Sequence, residues 1–231
     1  MHPSATFRIA SARRASSIRK GGVCVARPIL MPVSSLDVRP APVPAHAGPA
    51  GITLSERSGL SICSVVARTG RARDLAGRVQ AMFGIDLPDR PRHTGAGSIA
   101  FVGAGPGQWL ALAADAEPLA FERRLRAELA GLASVADESD GRTIVRIAGA
   151  RARDMLAKGL LVDLHPRAFG PGSAATTMVA HMRVQLWQLD AHPTYEFAVP
   201  RSFAVSWWDW VIEAGAEYGI EIVTRHAILP P

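Results

Sequence analysis

The apolar and polar positions of this chain run through one sequence of signals twice. Thr143–Ala148 (TIVRIA) alternates large apolar with other residues, the pattern of a strand with one buried face. Gly149 ends it. Arg151–Lys158 then shows helical spacing around Met155 and Leu156, and Gly159 is placed as the left-handed residue that stops the helix. A Leu-Leu-Val run and Asp163-Leu164-His165-Pro166 lead into a turn. Upstream, Ile62–Ala67 predicts a strand and Ala72–Phe83 a helix ending at Gly84, followed by Ile85-Asp86-Leu87-Pro88. The tetrapeptide Arg71-Ala72-Arg73-Asp74 returns as Arg151-Ala152-Arg153-Asp154, each copy after an apolar strand.

The parallel continues. Ile99–Val102, Trp109–Ala113 and a helix Pro118–Leu129 in the first half match Met182–Leu189, Tyr195–Val199 and a helix Ser202–Ala214 in the second. The reading is an α+β fold of two strand-helix-strand-strand-helix pseudo-repeats, its antiparallel sheets covered by helices.

Charge changes the picture of the ends. Residues 1–50 hold seven Arg/Lys against Asp37 alone, which, from chain totals of 26 and 20, leaves nineteen basic and nineteen acidic side chains in 51–231. The body is neutral, so the high pI gives no basic face to displace counterions from phosphates, and nucleic-acid binding is excluded. Residues 1–50 read as a basic, Pro-rich disordered tail and 51–225 as one globular domain. The tail's composition also suits an organellar transit peptide, and Met31 suits a native beginning that makes residues 1–30 a misassigned start. No window reaches the roughly 18 apolar residues of a membrane span. Cys24 and Cys63 form no evident disulfide framework, Cys63 reads as a small buried hydrophobe, and a reducing cytoplasm fits.

Candidate chemistry is sparse. Gly103-Ala104-Gly105-Pro106-Gly107-Gln108 follows a strand as a dinucleotide loop does, but Gln108 replaces the third glycine and Trp109–Ala113 continues as a strand, so a β-hairpin is the better reading. His93, His165, His181, His192 and His226 lack zinc-ligand spacing. His165 before Pro166 reads as a turn histidine bonded to backbone, with an acid/base role as the other option. Arg71/Asp74 and Arg151/Asp154 are i,i+3 ion pairs on solvated faces, worth about 0.2–0.5 kcal/mol each. Asp140-Gly141 is turn chemistry.

The helix near the C-terminus is different. Phe203, Trp207, Trp210 and Ala214 mark one apolar stripe, and Val205, Trp208 and Ile212 a second. Two readings stand: both stripes are internal, or the helix presents an interface, with Trp207, Trp208 and Ile212 as its candidate residues.

The stretch GRTIVRIAGARARDMLAKGLLVDLHPRAFGPG, with Asp137 and Ser139-Asp140 before it and Trp187, Pro200-Arg201-Ser202-Phe203 and Trp207–Trp210 after it, resembles the gamma subunit family of heterotetrameric sarcosine oxidase. The likeness covers roughly 53–221 and is most specific over 151–172; a Cys expected near Leu160 is absent. The resemblance implies a fold similar to the folate-binding domain of glycine-cleavage T-proteins. It also implies a non-catalytic subunit without catalytic, cofactor or metal residues of its own. Its partners would be the alpha, beta and delta subunits, which would hold FAD, FMN, NAD and tetrahydrofolate. The whole complex would demethylate sarcosine to glycine oxidatively, releasing hydrogen peroxide. The other function considered is a free-standing tetrahydrofolate-binding, aminomethyltransferase-like module.

Overall fold

A computed structural model describes residues 34–36, 48–114 and 116–223. Two sheets lie back to back with helices on their outer faces, and the pseudo-repeat is visible in the strand order. The first sheet runs β3-β4-β5-β2-β6: β2 (Leu60–Ala67), β3 (His93–Ala96), β4 (Ile99–Gly105), β5 (Gln108–Ala114) and β6 (Ala133–Asp137). The second runs β8-β9-β10-β7-β1-β11: β1 (Ile52–Glu56), β7 (Arg142–Ala148), β8 (Ala174–Val179), β9 (Met182–Gln188), β10 (Tyr195–Pro200) and β11 (Ile220–Ile222). The orders are the same except that β1 is inserted between β7 and β11, antiparallel to the first and parallel to the second. The first sheet therefore gains two strands that the sequence pattern leaves out, β3 and β6, and the second gains three, β1, β8 and β11. β3 (HTGA) and β11 (IEI) are too short or too Gly-rich to show alternation.

Alternation along the strands sorts side chains into three cores. On β2, Cys63 and Val65 face the helices while Ile62 faces the opposite sheet. Between the sheets, Ile62, Val102, Leu110 and Leu112 meet Ile144, Ala174, Trp187 and Ala198. Outside the first sheet, α1 (Ala72–Phe83) buries Leu75 and Val79 and α2 (Pro118–Glu128) buries Phe121 and Leu125, each pair at i,i+4 spacing. Gly84 ends α1 at φ 67°, its N–H donating to the Gln80 carbonyl, as the sequence indicates. Pro118 starts α2, and the Glu117 carboxylate accepts from Ala120 N at 2.7 Å.

The second half departs from expectation at its first helix. α3 spans only Ala152–Leu156, stopping short of Lys158. Gly159 is not left-handed; a Cβ there would sit 2.7 Å from Trp210 Cζ2, so the residue is glycine because an indole lies against its backbone. The C-terminal helix begins with a 3₁₀ turn (Arg201–Phe203) and continues as α4 (Ala204–Gly215). Ser34–Leu36, inside the stretch read as a tail, touch the domain: the Ser34 hydroxyl donates to Glu56, Ser35 meets Thr143, and Leu36 packs on the core that the second sheet forms with α3 and α4.

Candidate functional site: a buried ion cluster at an interlayer cleft

Glu196 interrupts the apolar run of β10 and is 3% exposed. A carboxylate so placed costs several kcal/mol unless paired and hydrogen-bonded. Its strand neighbours supply the partners. Arg146 on β7 and Trp187 on β9 are its register partners on either side, so one row across the inner face reads Arg146, Glu196, Trp187 and, on β8, Ala174. Oε1 accepts from Arg146 Nε at 3.1 Å and Nη2 at 2.8 Å, and from Nη1 of Arg57, in the β1–β2 connection, at 2.5 Å. Oε2 accepts from Trp187 Nε1 at 3.0 Å. Both oxygens are engaged, so this carboxylate is a fixed counter-charge rather than a free base.

His93, at the start of β3, stacks flat on Trp187 from the other sheet, with centroids 6.0 Å apart and planes within 3°. Burial lowers its pKa below the ordinary 6.5; nearby Glu196 opposes this and nearby Arg57 adds to it. Arg57, His93 and Glu196 line a cleft of about 480 Å³ between the layers, whose apolar lining includes Leu60, Leu112 and Leu189. Two guanidinium groups against one carboxylate, with the imidazole neutral, leave the cluster with an excess of one positive charge.

The structure places the sequence-derived candidates elsewhere. Trp207 is fully buried, and Trp208 and Ile212 are 7% and 8% exposed within the core that α3 and α4 form against the second sheet, so the exposure behind an interface at these three residues is absent. Trp207 packs on Phe197 at 5.3 Å. The exposed aromatic of this segment is Phe203, 48% accessible, with Trp210 half-buried on Gly159. His165 is a turn residue: its N–H donates to Asp163 Oδ1 and its Nδ1 accepts from Arg167 N. Gly103–Gln108 closes the β4–β5 hairpin, with Gly107 at φ 66°. Cys63 is a free, buried thiol, pushed up to about 12 first by burial and then by Asp137, Glu122 and Glu138. Cys24 lies outside the described residues.

Both i,i+3 ion pairs form, Arg71–Asp74 at 2.9 Å and Arg151–Asp154 at 3.0 Å, each about half exposed. No group of three His, Cys, Asp or Glu positioned to hold a metal occurs among the described residues, and none of their helices is long and apolar enough to cross a membrane. Sequence reasoning misses the Glu196 cluster, although a glutamate amid Tyr195, Phe197, Ala198 and Val199 is its visible signal.

This duplicated α+β sandwich is the fold class of the glycine-cleavage aminomethyltransferases. The aminomethyltransferase T from Bartonella henselae superposes with a TM-score of 0.55 at 12% identity over 75% of this chain and 48% of that one, a likeness of fold alone. The chain belongs to the sarcosine oxidase gamma subunit family: the model described as "Sarcosine oxidase, gamma subunit family" matches residues 69–217. The sarcosine oxidase gamma subunit of Corynebacterium sp. (strain P-1) is 36% identical over 58% of this chain and 67% of the relative. That of Corynebacterium sp. (strain U-96) is 30% identical over 74% and 83%. A chain of the heterotetrameric sarcosine oxidase from Corynebacterium sp. U-96, solved with pyrrole 2-carboxylate, superposes with a TM-score of 0.67 at 28% identity, covering 77% of this chain and 90% of that one.

Proposed function

We propose that this chain serves as the non-catalytic gamma subunit of a cytoplasmic heterotetrameric sarcosine oxidase, assembled with alpha, beta and delta subunits. FAD, FMN, NAD and tetrahydrofolate belong to those partners, and the complex converts sarcosine to glycine with release of hydrogen peroxide. The observation that carries the reading is the superposition on a chain of a solved heterotetrameric sarcosine oxidase over nine tenths of that chain's length. The cluster chemistry supports it, since Glu196 has no free oxygen to act as a base and Cys63 is held as a buried thiol. We place the partner contact at Phe203, in the 3₁₀ turn that leads into α4, and at Trp210 on α4, the aromatic side chains of this segment that reach the surface.

Tagged chain expressed in its native host on sarcosine tests this. Recovery of a stoichiometric complex with flavin absorbance and sarcosine-dependent peroxide production is the expected result. A lone, colourless, stable protein under the same conditions overturns it. The free-standing folate module rests on fold likeness alone, and no observation favours it.

A further inference from the structure

The cleft beside Glu196 is built in a way that packing alone does not require. Arg57 spends one guanidinium nitrogen, Nη1, on the buried carboxylate. Its remaining guanidinium N–H groups donate to no acceptor among the described residues, and its side chain is 32% exposed where it lines the cleft. Glu196 thus holds the guanidinium through Nη1 and leaves its other donors unused at the cleft. Beside it, the His93 ring is held flat by Trp187, and neither of its nitrogens has a hydrogen-bond partner among the described residues. Leu60, Leu112 and Leu189 are among the apolar residues that line it, with Ile99, Ala100 and Ala114.

The charge balance selects the ligand. A cation is disfavoured, because the Glu196 carboxylate is already paired with two guanidinium groups. A dianion would overbalance the single excess positive charge and face Glu196 directly. A monoanion matches it, and a planar carboxylate pairs with a guanidinium edge through two parallel hydrogen bonds. The leucines of the lining offer apolar contact to an organic group behind the charge, and the volume falls within the range of small-molecule pockets, about 300–1,000 Å³.

We propose that this cleft binds a small organic monocarboxylate, with the free edge of Arg57 as its ion-pair partner and His93 as its second polar contact. The site is independent of the assembly reading, because binding is measured on the full-length chain alone. Acetate, pyruvate and benzoate are titrated while the ring resonances of His93 are followed by NMR, with benzamide as an uncharged match for benzoate and inorganic phosphate as the dianion. At least one carboxylate is expected to saturate and shift His93, with benzamide and phosphate about tenfold weaker or worse. Arg57→Gln is expected to weaken binding about tenfold. Ala114→Phe, at the cleft lining and outside the ion cluster, is expected to block it, and decides the matter if Arg57→Gln fails to fold. No saturable shift with any of the three acids, equal binding of benzamide or phosphate, or wild-type affinity in Ala114→Phe overturns the proposal.

Discussion

The two halves of this molecule share a strand order and a tetrapeptide but solve the shared interlayer differently. The first sheet presents Ile62, Val102, Leu110 and Leu112, an apolar face. The second presents Ile144, Trp187 and Ala198 together with Glu196 and the arginines that neutralise it. The same divergence appears in the helices after the repeated Arg-Ala-Arg-Asp. α1 runs twelve residues to a left-handed glycine, whereas α3 stops after five and its glycine is covered by Trp210. Local signals were duplicated; tertiary neighbours decided what each copy became.

The largest test removes the polar half of the contrast. Glu196→Ala leaves two guanidinium groups and the Trp187 N–H without their acceptor and is expected to cost about 3–5 kcal/mol in chemical denaturation. A loss below about 1 kcal/mol would mean that water replaces the carboxylate freely. Next come the glycines. Gly159→Ala drives a methyl into the Trp210 ring and is expected to cost about 1–3 kcal/mol and alter tryptophan emission. Gly84→Ala meets only backbone strain, with open space around it, and is expected to cost about 1–2 kcal/mol without that spectral change. Matching spectra would erase the distinction between the two helix ends.

A smaller effect is expected with pH. The folded chain holds His93 neutral below its ordinary pKa of 6.5, so as pH falls the unfolded chain takes up the proton first. The stability is full above pH 6.5 and is lost progressively below it. His93→Gln is expected to flatten that part of the profile in thermal melts, and an unchanged slope would assign it to another group. The smallest effect should be shared by both halves: Asp74→Ala and Asp154→Ala each remove a half-exposed i,i+3 pair and are expected to cost at most about 0.5 kcal/mol.

Strands and helices whose apolar period is uninterrupted are legible in the sequence, as β2, β7, α1 and α2 show, and so is the duplication itself. The strands at the sheet ends, such as β3 and β11, are not, because a few residues held by a neighbour carry no period of their own. The stop after α3 is ambiguous for a related reason: a glycine needed for close approach and one needed for a left-handed turn look identical in sequence. At the site, Glu196 is visible as a misplaced charge, but Arg57 and His93 reach it from elements 139 residues and about 100 residues away in the chain, a convergence no local pattern encodes. The stripes of α4 are plainly apolar in the sequence. That both are covered, leaving Phe203 exposed, depends on the second sheet and on the turn at Gly159.

The place of β1 has a temporal consequence. It is synthesised before either repeat, yet its hydrogen-bonding partners are β7 and, last of all, β11. A growing chain must therefore carry Ile52–Glu56 unpaired past the whole first sheet until Arg142–Ala148 exists, and its other edge waits for Ile220–Ile222. The strand works as a latch that closes only on a finished chain, so a polypeptide cut short before β11 has no means of sealing the second sheet.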